Sequence, residues 1–197
     1  MAVTTELVKQ LRAMTGAGMM DVKRALDDTN GDLQKAADLL RERGIAKADK
    51  KADRAAKEGL IGSYIHHNGK IAVLVEVNCE TDFVAREESF QELARNVAMH
   101  IAMAAPSYTR VEEVPAEALE AEKSALLRQV EEEGKPANVA EKIVEGRVKK
   151  WLSEIVLLEQ AYVKDDKKSV DQLVKEATAT LGENIQIGRF SRIAIGE

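Results

Sequence analysis

The chain has 197 residues, enough for one large domain or a small one beside a medium one, and its 45% apolar and 32% charged composition is that of a globular protein. Its 34 acidic against 29 basic residues, a net charge of −5, exclude a protein whose main task is to coat nucleic acid, which needs clustered Lys and Arg. No apolar run is long enough for a membrane span, and Glu6, Lys9 and Arg12 interrupt any signal core, so the expected location is cytoplasmic, away from any membrane.

Residues 3 to 43 read as three short helices. Thr4 or Thr5 can cap the first, which places Leu7, Val8, Leu11 and Met14 on one face. Thr15-Gly16-Ala17-Gly18 breaks it, because glycine permits a sharp reversal. The second helix turns Val22, Ala25 and Leu26 inward. Asn30-Gly31 is a strong turn, and Asp32 caps a third helix carrying Leu33, Ala36, Leu39 and Leu40, with Gly44 as its stop. The expected first domain is therefore residues 1–45. Met19 and Met20 directly follow the glycine loop. A methionine is usually a soft packing residue, yet two adjacent ones on a tight loop do not both turn inward easily. Residues 46–58 are Ala, Lys, Arg and Asp with almost no large apolar side chain. They read as a solvated single helix or a semi-rigid charged linker rather than a nucleic-acid contact, since acids are mixed in and no aromatics are interleaved.

From Leu60 the period changes to that of strands. Leu60 to His66 and Lys70 to Val77 form a hairpin about Asn68-Gly69, with Ile71, Val73, Val75 and Val77 on the buried face. His66 and His67 are adjacent on a strand and point to opposite faces, so no metal site is expected. Cys79 is the single cysteine, which excludes an internal disulfide and a cysteine zinc cluster and suits a reducing compartment. Thr81-Asp82-Phe83-Val84 then sits at a strand-to-helix turn. Phe83 is either a core anchor beside a helix cap, Thr81 and Asp82 being good cap residues, or an exposed apolar wedge beside a carboxylate. Periodicity does not choose between the two.

A helix follows with Phe90, Leu93, Val97, Ile101 and Ala104 toward the sheet. Asn96, His100 and Met103 make a second stripe on it, where a lone histidine is usually structural. Pro115 opens a helix that ends at Gly134, and Pro136 opens another through Ile143, Val144, Trp151 and Leu152. The short Gly-Lys-Pro connection makes them an antiparallel pair. Ser169 and Gln172 form a capping box for a last helix, stopped by Gly182. Asn184 to Ile195 is a terminal strand with Ile185, Ile187, Ile193 and Ile195 in phase. Arg189 and Ser191 interrupt that face, as in an exposed edge or a dimer edge. The fold class is α+β: a three-helix domain, a linker, and a core at 59–197 with a small antiparallel sheet packed by helices and a helical hairpin.

Asn78-Cys79-Glu80-Thr81-Asp82-Phe83-Val84 resembles the signature of the elongation factor Ts family, bacterial exchange factors for the GTPase elongation factor Tu. Leu11-Arg12-Ala13-Met14-Thr15-Gly16-Ala17-Gly18-Met19-Met20-Asp21 resembles the family's other signature. His66-His67-Asn68-Gly69-Lys70, Met99-His100-Ile101-Ala102 and Leu157-Leu158-Glu159-Gln160 are similar to further family segments, so the likeness runs from end to end. One departure is Ala161-Tyr162, where the family more often carries Pro-Phe. The resemblance implies an N-terminal domain of the ubiquitin-associated type. It also implies that Phe83 inserts between helices of elongation factor Tu, with Asp82 beside it, Thr81 shaping the turn and Val84 extending the apolar contact. Together they disturb the partner's magnesium site. Arg12, Met19 and Met20 would meet the GTP-binding domain, and the region of His100 another domain. Longer members of the family hold two core halves, whereas this chain has room for one, so a homodimer is expected.

No cofactor is expected, and the magnesium belongs to the partner. His66, His67 and His100 make no nucleophile–base arrangement, and no Gly-rich phosphate loop is present, so an enzyme is not expected. The competing reading is a non-catalytic adaptor that binds peptide or ubiquitin-like partners through its N-terminal helices.

Overall fold

The structure, a computed structural model, describes residues 3–134 and 136–197. It has an α+β architecture whose chain divides into two compact units. Residues 1–61, 76–94 and 172–187 make the first, and residues 62–75, 95–171 and 188–197 the second. Three strands, β1 (Glu58–Ile65), β2 (Ile71–Cys79) and β5 (Gln186–Ala194), form an antiparallel sheet in the order β1-β2-β5, so β5 is an edge.

The first unit begins with α1 (Thr5–Thr15), α2 (Met19–Asp28) and α3 (Leu33–Asp49) around a core of Leu11, Val22, Ala25, Leu26, Ala36 and Leu40. Their ends carry the expected local chemistry. The Thr4 hydroxyl accepts from the Leu7 N–H, and the Asp32 carboxylate accepts from the Lys35 N–H. That bond, more than the nearby Lys35 charge, holds the Asp32 carboxyl below its ordinary pKa. Gly16, at φ +65°, closes α1 with its N–H on the Arg12 carbonyl.

One expectation is corrected in this unit. Gly44 does not end α3, which runs on to Asp49. A Cβ there would lie 3.2 Å from the Ala179 Cβ of α8 (Val170–Leu181), so this glycine serves close helix approach rather than termination. The charged stretch after it is exposed for the most part and is tied down by hydrogen bonds. Asp49 pairs with Lys175 at 2.9 Å, the Lys51 ammonium donates to the Gly182 carbonyl at 2.5 Å, and the Asn184 amide donates to the carbonyls of Ala52 and Arg54. Gly59 is fixed by sterics: a Cβ would meet the Val77 carbonyl oxygen at 2.1 Å. On β2, Val73, Val75, Val77 and Cys79 alternate as buried residues, two residues beyond the expected strand end.

In the second unit the hairpin turns at Asn68-Gly69. Gly69 (φ +69°) donates its N–H to the His66 carbonyl, and the Asn68 side chain accepts from the Lys70 N–H. Helix α5 (Glu88–Ala104) starts in the first unit and ends in the second, where it buries Val97, Ala98, Ile101 and Ala102. Helices α6 (Ala116–Glu132) and α7 (Ala137–Ile155) start after Pro115 and Pro136 and pack as a pair, with one Arg147 guanidinium nitrogen donating to both Glu133 carboxylate oxygens at 2.8 Å. Lys135 of their connection lies outside the described residues. Next come β3 (Ala161–Tyr162) and β4 (Asp165–Ser169), a short antiparallel pair that the charged Asp165-Asp166-Lys167-Lys168 run does not announce. Ile193 and Ile195 are exposed at the end of the edge strand, whereas Ile185 and Ile187, in the first unit, are buried.

Candidate partner-binding turn

Strand β2 ends on Cys79, whose thiol is buried and donates to the Thr81 carbonyl at 3.1 Å. Burial, aided by the nearby Glu183 charge, pushes that thiol up from its ordinary pKa, so it is a poor nucleophile. Thr81, in extended conformation, caps α4 (Asp82–Ala85), accepting from the Val84 N–H at 3.4 Å. Asp82 forms an i,i+4 pair with Arg86 at 2.6 Å. Phe83 between them is 75% exposed. Of the two readings open at the sequence level, the ring in this fold is the one held out in solvent. Leaving a Phe side chain in water forgoes about 1.5–3 kcal/mol of burial, which is recoverable on a partner surface.

The turn is held by residues that sequence reasoning did not single out. The Glu183 carboxylate accepts the Glu80 and Thr81 N–H groups, both at 3.0 Å, and the Thr81 hydroxyl at 2.7 Å. In return the Glu80 carboxylate accepts the Asn184 N–H at 2.7 Å and lies 3.5 Å from Arg54. The only sequence signal was position: Glu183 follows Gly182, the helix stop, more than a hundred residues from the turn it holds.

Arg12, Met19 and Met20 are exposed on the α1–α2 corner, the methionines at 58% and 64%, with Met14 also exposed. The methionines lie on the first turn of α2 and not in its core, which Val22, Ala25 and Leu26 fill.

His100 is different, and here the expectation is corrected. It is fully buried, so its side chain touches no partner in this fold. Gln160 donates its amide to the Ala104 and Glu154 carbonyls, which leaves its oxygen to accept from His100 Nε2 at 2.9 Å. Nδ1 accepts the Val163 N–H at 3.3 Å. That pattern fits only the neutral, Nε2-protonated ring. Burial pushes the His100 pKa down, against a smaller opposing effect of Gln160. The exposed residue of this helix turn is Met103, while Asn96 receives the Lys164 ammonium at 2.7 Å. His66 bonds the Tyr64 hydroxyl at 3.1 Å and lies 4.2 Å, centroid to centroid, from His67. Among the described residues no group of three His, Cys, Asp or Glu is placed to hold a metal, and no helix is long and apolar enough to cross a membrane.

The family model "Elongation factor TS" matches residues 33–197. Elongation factor Ts of Geobacter sulfurreducens is 55% identical over 197 residues, covering 100% of this chain and 91% of that protein. The Nitratidesulfovibrio vulgaris protein of the same name is 56% identical over 196 residues, covering 100% and 98%, and that of Syntrophomonas wolfei is 57% identical over 195 residues, covering 99% and 91%. The chain belongs to the elongation factor Ts family. It is accordingly a translation elongation factor of protein biosynthesis. The α1–α2 corner lies ahead of the family model's match but inside the matches to these three elongation factor Ts proteins, which span at least 99% of the chain.

Proposed function

We propose that this protein binds elongation factor Tu carrying GDP and speeds GDP release, leaving Tu free to bind GTP. A GTPase holds GDP through a phosphate-cradling loop and a magnesium ion. A factor that binds the nucleotide-free form more tightly weakens GDP binding by the same factor, since coupling is reciprocal. Phe83 inserts between helices of Tu, and Val84 widens the apolar contact. The Asp82 carboxylate arrives beside the groups that position magnesium, and Thr81 keeps the turn in shape. Arg12, Met19 and Met20 bind the GTP-binding domain, methionine adapting to an irregular surface. No bond is made or broken, so the protein is not an enzyme, and its place of work is the cytoplasm.

The observation that carries this reading is an aromatic ring three-quarters exposed on a turn bonded from several sides. The test is stopped-flow release of a fluorescent GDP from Tu. The Phe83→Ala variant should slow the accelerated release while its far-ultraviolet dichroism stays native, and undiminished release sinks the wedge.

Two copies act together in this reading. Ile65, Leu74, Ile193 and Ile195 are exposed apolar residues on or beside strands of the second unit, a surface suited to a second copy. Sedimentation at working concentration should report a dimer, and a monomer with full exchange activity overturns that part.

A further inference from the structure

Resting on the exchange reading above, we propose that Glu183 is a positioning residue for nucleotide exchange, setting the angle at which the Phe83 ring is presented. Helix α4 is one turn of four residues, too short to hold itself together. The Phe83 ring is exposed and so gains little orientation from packing. Its direction is therefore inherited from the backbone before it. That backbone is fixed by one carboxylate, whose Oε2 takes the Glu80 and Thr81 N–H groups and whose Oε1 takes the Thr81 hydroxyl. The same hydroxyl oxygen caps α4 at Val84, so the bonds run from Glu183 through Thr81 into the helix that bears the ring. The Asn184 N–H closes the clamp in the other direction on the Glu80 carboxylate. A carboxylate suits three donors, because it has only acceptors to offer. An amide at 183 keeps one acceptor oxygen for the two N–H groups but turns an NH2 toward the Thr81 hydroxyl, so that hydroxyl loses its acceptor. Glutamine is then a partial clamp and alanine none.

The experiment follows fluorescent-GDP release from elongation factor Tu at rising concentrations of the full chain, for wild type, E183Q, E183A, F83A and the E183A/F83A double variant, each checked for a native melting transition. In E183A the saturating rate should fall about tenfold while the half-saturating concentration moves less than about threefold, with E183Q between wild type and E183A. In the F83A background E183A should change nothing further, because the two residues act through one ring. Where E183A does not reach the native state, the E183Q and E183Q/F83A pair decides the matter. An unchanged saturating rate in E183A or E183Q, or a loss that multiplies that of F83A, overturns the positioning role while leaving the wedge standing. An F83A variant as fast as wild type is the separate result that removes the wedge itself.

Discussion

The turn at Thr81–Val84 and the nest around His100 are built alike, yet one exposes its ring and the other buries it. Each is ordered by one long polar side chain from far along the sequence: Glu183 receives three donors of the turn, and Gln160 bonds His100 and two carbonyls. In the turn the bonds hold the backbone and the apolar ring is left exposed. In the nest the bonds surround the ring and seal it. A histidine on a helix stripe and a phenylalanine at a helix cap thus exchange their habitual places, because polar anchoring decides which side chain is free to leave the core.

The sharpest way to break that comparison is to truncate both rings. His100→Ala should destabilise the fold by about 3 kcal/mol, since it strands the Gln160 oxygen and the Val163 N–H and opens a cavity. The urea midpoint at neutral pH reads this, and exchange per folded molecule should hardly move. Phe83→Ala should change the stability read from the urea midpoint by less than about 0.5 kcal/mol, as exposed substitutions do. Its cost should appear in GDP release, slowed about tenfold or more. If His100→Ala leaves stability intact, or Phe83→Ala lowers it by several kcal/mol, the assignment of one ring to the core and the other to the surface is reversed.

Acid sharpens the same contrast. Burial pushes the His100 pKa down, so the folded protein resists a proton that the unfolded chain accepts near pH 6.5. Above that value the ring is neutral in both states and its contribution to stability is complete. As pH falls below it, the unfolded state binds the proton first and stability is lost, at up to about 1.4 kcal/mol per pH unit until the folded pKa is reached. Comparing urea midpoints at pH 7.5 and 5.5, wild type should lose more than a His100→Asn variant. Equal losses would mean that His100 is not held neutral.

What the sequence disclosed follows the range of the interaction. The Thr4 and Asp32 caps, the Gly16 stop, the Asn68-Gly69 turn, Pro115 and Pro136 act within a few residues, and each lies where its chemistry predicts. The alternation of Val73, Val75 and Val77 is legible for the same reason. The anchoring roles of Glu183, Gln160 and Asn184 are not legible, because most of their partners are main-chain groups brought close only by folding, and a backbone carbonyl or N–H carries no sequence signature. Gly44 reads as a stop of α3 for the same reason, since the Ala179 methyl that presses on it is brought there only by folding.

That last residue offers the smallest effect, and one that touches neither ring. Gly44 lies inside a helix, where alanine is favoured over glycine by about 1 kcal/mol. The new methyl would lie 3.2 Å from the Ala179 Cβ, inside the optimum carbon separation of about 3.5–4.0 Å. Propensity and crowding oppose each other, so Gly44→Ala should change stability by less than about 1 kcal/mol in either direction, with GDP release unchanged. The crowding half of this balance is separable. In an Ala179→Gly background the obstructing methyl is gone, and Gly44→Ala should become the more favourable for it, an interaction that a double-mutant cycle measures directly. Strict additivity between the two would show that the helices yield freely at this crossing, and that Gly44 is there for a reason other than close approach.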